Sequence, residues 1–369
     1  MKKRHAVLYA AALIFAVFIT YRTTHHDYYN AITVTGATPI AVAKTVPSGF
    51  SLAIDGMVKK PCRLSDSALR AFATTRIRTA EISAGGGFMG TYIHVGIPVF
   101  NILEGIAPRF PEESLWGTPT DFLITFTSKT GERVYFSYGE LLMTDDSSPA
   151  TLAFFREELL PTSDPEEYTL NVDKGGLDGF RLIVPGDRDT SRYLSGVISI
   201  TFSIPEVPDD LLPPRRKGLD CSSQEIVIVK GPDMEKTSFE GVERRSENAW
   251  VRVGHGKGYK GTAAVAGYSL GSFLEHNMPG FSIDDLVLFV SCDGYRCLFS
   301  GREIFGTENG RNMVIITEMN GDVPPGGNIL ACLNDYFIDR SIWGVTHVLP
   351  ISHSDLKDQS PAHRRTVGK

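Results

Sequence analysis

The chain has few cysteines, no excess of basic residues and, beyond its N-terminal segment, no membrane-length apolar run. Its 37 lysines and arginines are outnumbered by 43 acidic residues, leaving a net charge of −6 over 369 residues. A nucleic-acid surface needs clustered positive charge, so that class of partner is set aside. The nine histidines and five cysteines offer no CxxC zinc pair, and neither a calcium loop nor a Ser/His/Asp set emerges. With 42% hydrophobic and 22% charged residues, the composition is that of a globular protein and not of a polytopic membrane protein. A chain of this length is expected to hold about two domains.

Residues 1–22 read as a signal peptide or membrane anchor. Lys2, Lys3 and Arg4 precede an uncharged apolar run of 16 residues from Ala6 to Tyr21, between the length of a signal-peptide core and that of a full span. Ile19, Thr20, Tyr21 and Arg22 offer no small-x-small cleavage site, which favours an uncleaved anchor. The positive end stays in the cytoplasm, so the body is expected to be exported, on the periplasmic side of the inner membrane. Residues 23–47 are expected to be a linker and 352–369 a polar tail.

The body nearly repeats itself. Gly85, Gly87, Gly90, Thr91, Gly96, Leu103 and Glu104 recur 171 residues later as Gly256, Gly258, Gly261, Thr262, Gly267, Leu274 and Glu275. Ser128, Gly131, Arg133, Phe136, Ser137 and Glu140 recur 163 residues later as Ser291, Gly294, Arg296, Phe299, Ser300 and Glu303, and Arg192, Gly196 and Val197 recur 148 later as Arg340, Gly344 and Val345. One order of blocks with shrinking separations indicates a duplicated domain with shorter loops in the second copy, not a solenoid. The expected domains span 48–206 and 222–351.

Strands are expected at Leu52–Gly56, Thr79–Ser83, Ile226–Gly231 and Trp250–Gly254, with short helices after Pro98 and Ser269. Hairpins follow at Phe122–Ser128 with Glu132–Ser137 and at Leu286–Cys292 with Tyr295–Ser300. A closing pair joins Arg181–Val184 to Gly196–Phe202, and Asn328–Leu333 to Gly344–Leu349. The fold class is α+β: two tandem mixed α/β domains with mainly β cores. Asp293-Gly294 reads as a two-residue turn that sets Cys292 opposite Tyr295 and Val290 opposite Cys297. Cys292 and Cys297 are then diagonal neighbours, roughly 7 Å apart, which favours buried thiols over a disulfide. Both Gly-x-Gly-x-x-Gly runs follow a strand, but Gly96, Pro98 and Gly267 interrupt the long helix that a dinucleotide site requires.

Taken together, the strand ending at Gly56, the Gly96-x-Pro98-x-x-x-x-Leu103 pattern, Asp293-Gly294-Tyr295 and Leu182-Ile183-Val184-Pro185-Gly186-Asp187 give both copies a resemblance to the oxidoreductase molybdopterin-binding domain of the sulfite oxidase family, over about residues 50–205 and 225–350. The resemblance implies a mixed α+β fold, a molybdopterin cofactor and two-electron chemistry at molybdenum. The family holds its metal through a cysteine thiolate just after the second strand, where this chain has Ser83 and Ala84 in the first copy and Gly254 and His255 in the second. The twin-arginine signal expected for export of a folded, loaded protein is also missing, Lys3-Arg4 standing in its place.

Candidate cofactor-binding residues are Ser83, His255, Lys257, Lys260, Thr262 and Arg296. The run from Gly254 to Thr262 carries glycines and two lysines, as an anion cradle requires. Arg133 and Arg296 are expected to form buried ion pairs with Glu140 and Glu303, and Arg192 and Arg340 to reach an anionic cofactor or form surface salt bridges. Tyr336, Trp343 and His347 read as core. No catalytic residue and no metal ligand set is assigned. If the chain is an enzyme, it is a molybdopterin-dependent oxidoreductase; the alternative is a cofactor-free ligand-binding or interaction scaffold. A third reading, thiol redox chemistry at Cys292 and Cys297, needs an exposed low-pKa thiol. Expected partners are a small anionic ligand or a redox partner protein, and the membrane through the N-terminal anchor.

Overall fold

Alternating side chains mark some of the strands, while others, such as Leu286–Ser291, are buried on both faces. In β3, described below, Ile77, Thr79 and Glu81 point inward while Arg76, Arg78 and Ala80 face solvent, the two-residue period of a pleated strand. A computed structural model describes residues 45–111, 116–144, 149–159, 176–207, 210, 212–216, 219, 221, 225–254 and 258–358. The expected anchor, nearly all of the linker, most of the polar tail, His255 and Lys257 lie outside the described residues.

The first nine strands are β1 (Ser51–Gly56), β2 (Cys62–Ser65), β3 (Thr75–Ile82), β4 (Phe88–Pro98), β5 (Leu123–Ser128), β6 (Arg133–Ser137), β7 (Thr151–Glu158), β8 (Gly176–Ile183) and β9 (Leu194–Ser203). Between them lie the short helices α1 (Asp66–Leu69), α2 (Val99–Leu103) and α3 (Tyr138–Leu142). They form one sheet in the order β2-β1-β9-β8-β7-β4-β3, and β5 joins β9 and carries β6. The remaining strands are β10 (Val227–Lys230), β11 (Asp233–Lys236), β12 (Arg244–Gly254), β13 (Gly258–Ser269), β14 (Leu286–Ser291), β15 (Arg296–Ser300), β16 (Met313–Met319), β17 (Ile329–Cys332), β18 (Ile342–Trp343) and β19 (Val345–Ile351). With them come α4 (Leu270–Asn277), α5 (Gly301–Gly306) and α6 (His353–Asp358). They form two sheets, β11-β10-β19-β14-β15 and β12-β13-β16-β17-β18. The protein is mainly β with a few short helices and three sheets.

Strand order β11-β10-β19-β14-β15 parallels β2-β1-β9-β5-β6, including the parallel pairings β1 with β9 and β10 with β19. Gly96 and Gly267 both sit at a bulge, where an added Cβ would strike the facing strand at Leu152 O and Ile315 O respectively. Neither position admits a side chain, which explains why both are glycine. Of the expected closing pairs the first is present, β8 meeting β9 antiparallel at Phe180, Arg181 and Leu182; the second needs correction, since β17 pairs with β16 and β18 but not with β19. At Gly344 the chain turns from β18 in one sheet to β19 in the other, whereas β9 runs on past Gly196 and joins the first nine strands into one sheet.

Both hairpins use a three-residue turn. Gly131 N donates to Ser128 O and Gly294 N to Ser291 O, each at 3.0 Å. Ser128 N reaches Glu132 O and Ser291 N reaches Tyr295 O, each at 2.9 Å. A two-residue type I′ turn needs positive φ at both central residues. Here only the glycine has it, +87° at Gly131 and +82° at Gly294. The result is a type I turn closed by a glycine bulge, and it shifts the expected register by one: Phe289, not Val290, faces Cys297, and Val290 faces Arg296.

The described residues belong to one compact unit. One apolar cluster draws on both halves, packing Leu123 and Tyr135 of β5 and β6 with Leu286, Leu288, Leu298 and Leu349 of β14, β15 and β19. Each such side chain removed from water contributes about 1.5–3 kcal/mol, so the two halves share a core.

Candidate functional site

The sequence Ser-x-x-Glu occurs at the start of two helices on this shared core. Ser137 caps α3 by accepting from Glu140 N at 3.0 Å, and Ser300 caps α5 by accepting from Glu303 N at 2.9 Å. In a capping box each glutamate would fold back onto its own cap. Here they cross over: Ser137 Oγ donates to Glu303 Oε2 at 3.2 Å, and Ser300 Oγ donates to Glu140 Oε2 at 3.0 Å.

An arginine meets each glutamate. Arg340, fully buried, is bonded to Glu303 and holds Asp335 through Nε and Nη2 at 2.7 and 2.8 Å. Arg192, 4% exposed, holds Asp187 through Nε and Nη2 at 2.8 and 2.5 Å. Its Nη1 is ion-paired with Glu140 Oε1 at 2.5 Å. These arginines, and not Arg133 and Arg296, pair with the glutamates. The surface salt bridges expected of Arg192 and Arg340 are corrected as well: both arginines form buried ion pairs. In each half the aspartate precedes its arginine by five residues. That third member was legible and missed, because Asp187 and Asp335 are themselves 148 residues apart, in register with the arginines.

The electrostatics of the two triads differ. Burial, together with the charges of Glu303 and Asp187, pushes the Glu140 carboxyl up to about 8 against the opposing pull of Arg192. The folded protein then binds a proton at Glu140 between about pH 4.5 and 8, where an unfolded glutamate has lost it. A raised acid favours the folded state at low pH, so its contribution to stability falls as pH rises across that window and is flat above it. Glu140→Gln should remove this slope and gain on the wild type by roughly 2–4 kcal/mol between pH 5 and 9, counting 1.36 kcal/mol per unit. Urea unfolding of both proteins at each pH checks it, and parallel profiles would show that Glu140 is ionised throughout.

Between α2, α3 and the segment after α5 lies a cavity of about 740 Å³, within the usual size range of ligand sites. Five carboxylates line it, Glu104, Glu140, Asp187, Glu303 and Glu308, against one cation, Arg192. Phe100, Phe136, Tyr336 and Phe337 supply aromatic surface. Tyr336, expected in the core, is 55% exposed. The lining does not fit a phosphate-bearing cofactor whose metal takes a thiolate, because it is acidic and holds no cysteine. Cys297 and Cys332 are buried on β15 and β17, their thiols pushed up by desolvation. No group of three or more metal-ligating side chains occurs among the described residues.

The other candidates are scattered. Ser83 lies in the turn between β3 and β4, its Oγ accepting from Gly87 N at 3.1 Å. Gly258–Thr262 is strand, paired with β12, with Lys260 and Thr262 exposed and Thr262 Oγ1 2.8 Å from Tyr259 Oη. Arg296 is 8% exposed on β15, in another sheet, where its carbonyl accepts from Thr120 Oγ1 at 2.7 Å and its charge reaches Asp121. The described candidates thus fall in three separate places, with only Lys260 and Thr262 sharing a strand, β13.

A polar network in the first half had no sequence signal beyond inward positions on two strands. Glu81 and His94 are buried at 2.9 Å, and Arg181 reaches Glu81 at 3.0 Å. Burial alone would raise Glu81, but the His94 hydrogen bond and the charges of Arg181 and Arg156 outweigh it and hold the carboxyl below its usual range. Burial lowers His94, so the imidazole is neutral near pH 7. Residues 171 places on are Arg252 and Val265, and that side of the second half is an apolar cluster with Trp250, Val265 and Ile329.

Cys292 is bonded to Cys221 across 71 residues, with Cα atoms 5.8 Å apart. It has no bond to Cys297, which removes the dithiol reading. A disulfide suggests an extracytoplasmic protein. No helix among the described residues is long and apolar enough to cross a membrane.

A comparison with solved structures finds the sulfane dehydrogenase SoxCD from Paracoccus pantotrophus, at 14% identity over 78% of this chain and 79% of that one, with a TM-score of 0.31. The likeness is distant. No family model matches the chain, and no curated protein matches it.

Proposed function

We propose that this chain is an exported, cofactor-free binding protein built from two tandem, divergent copies of a sulfite-oxidase-like domain and tethered to the periplasmic face of the inner membrane by residues 1–22. The observation that carries this reading is the fate of the retained arginines. Arg192 and Arg340 are spent on carboxylates within the protein, and the cavity beside them is acidic and without cysteine. Parallel strand order and identical hairpin turns support the tandem arrangement, and the disulfide supports export. The reading assigns binding to the cavity and no redox step to either half.

The test is the molybdenum and pterin content of the full chain, purified from its own export pathway and from cytoplasmic expression. Neither should be present above trace in either preparation. Near-stoichiometric pterin in one of them would overturn the proposal and return Ser83, His255, Lys257, Lys260, Thr262 and Arg296 to the front as candidate cofactor contacts.

A further inference from the structure

The cavity between the two halves is short of positive charge. Arg192 faces two carboxylates, Asp187 and Glu140, and Arg340 faces two more, Glu303 and Asp335. Each arginine balances one full negative charge: with Glu140 protonated below about pH 8 the Arg192 triad is balanced near pH 7, whereas the Arg340 triad sets two acids, Glu303 and Asp335, against one cation. At the rim, Glu308 is paired with Arg311 at 3.1 Å, whereas Glu104, exposed at the end of α2, has no ion pair among the described residues. Its charge is nevertheless felt inside, since after burial it is the next cause raising the Tyr138 hydroxyl.

The same cavity presents aromatic faces, which attract cations through the ring quadrupole. The protein already uses one this way: the Arg192 guanidinium lies 4.3 Å from the Phe136 ring centroid. Phe100 and Phe337 line the space beside it. A carboxylate surplus with aromatic walls is what recognises a positively charged organic group. An anion entering here would meet the carboxylates of Glu104, Asp187, Glu303 and Glu308, a protonated Glu140, and one arginine that is already engaged.

Resting on the reading of the chain as a binding protein, we infer that the cavity between α2, α3 and the segment after α5 binds an organic ammonium ion with an apolar or aromatic body, its charge directed toward Glu104 and its body against the phenylalanine faces. The ammonium group supplies the missing positive charge. The apolar body fills a volume of about 740 Å³, enough for a molecule larger than a single amino acid.

The experiment is calorimetric titration of the full chain, disulfide intact, with benzylammonium, benzyl alcohol and benzoate, three probes of one shape and three charges. Benzylammonium should bind, weaken as sodium chloride rises from 0.05 to 0.5 M, and lose at least fivefold in affinity in Glu104→Gln. Glu104 is exposed, so that variant should melt with the wild type, and its melting curve is the control for folding. If benzoate or benzyl alcohol binds as well as benzylammonium, the assignment of charge is overturned while the binding reading stands. If no probe binds, the cavity assignment is overturned. Pterin found in the content assay would remove the binding reading itself, so the two failures are separable.

Discussion

Arg340→Met should cost roughly 3–5 kcal/mol of stability, the penalty for breaking a buried ion pair from one side. Arg340 is fully buried, and the side chains of both its partners, Glu303 and Asp335, are buried with it. Methionine fills much of the volume but leaves two carboxylates facing each other without a cation. The aliphatic stem matters too, because the Arg340 side chain packs directly on Gly139 of α3, where an added Cβ would collide with its Cδ. Arg340→Lys keeps the charge and loses the fork that grips Asp335 through two nitrogens, so it should fall between the two. The triple change Arg340→Met, Glu303→Gln, Asp335→Asn should cost less than Arg340→Met alone, since it removes the stranded charges with their partner. Chemical unfolding of the three variants decides this. A single-variant loss below about 1 kcal/mol would mean that water reaches the triad.

Replacing Cys221 and Cys292 by serine should destabilise the protein by about 4 kcal/mol, the chain-entropy value for a loop between 15 and 100 residues. The bond closes a 71-residue loop and is one of several ties from the connecting segment to the second half: Arg216 N donates to Asp293 O at 2.7 Å beside it. Gly344 packs against the Cys221 side chain, and Cys292 N donates to Gly344 O at 3.0 Å. The loss should appear in unfolding under non-reducing conditions, and adding reductant should bring the wild type to the level of the variant. If reductant leaves the wild type unchanged, the cysteines are not bonded in the isolated protein and the suggestion of export weakens with them.

The sequence made the strands legible because their signal is local. Alternation marks β3, and turn glycines mark the ends of β5 and β14. It failed where the outcome depended on a single dihedral or on distant partners. Asp293-Gly294 reads as a two-residue turn because both residues tolerate positive φ, but only Gly294 adopts it, and the register moved by one. Glu140, Glu303, Arg192 and Arg340 were all visible as repeated residues. Pairing them correctly required knowing that Glu140 lies nearer in space to Arg192 than to Arg133, which spacing alone does not carry. Cys221 sits in a connecting segment without periodicity, and nothing local points it to Cys292. The Glu81–His94 network is hidden for the opposite reason: it breaks the repeat, and a search for matching residues passes over it.

The crossed serines have a further consequence. Ser137 touching Glu303 while Ser300 touches Glu140 is the reciprocity of an isologous interface, in which one patch meets its own copy about a two-fold axis. On the tandem arrangement proposed above, a single-domain ancestor could make the same contacts as a homodimer, with one serine and one glutamate per chain serving both sides. Joining the two chains would make that association independent of concentration and release each half from symmetry. A mutation in a homodimer appears twice, whereas here one half can hold a buried Glu81–His94 pair and the other Arg252 and Val265.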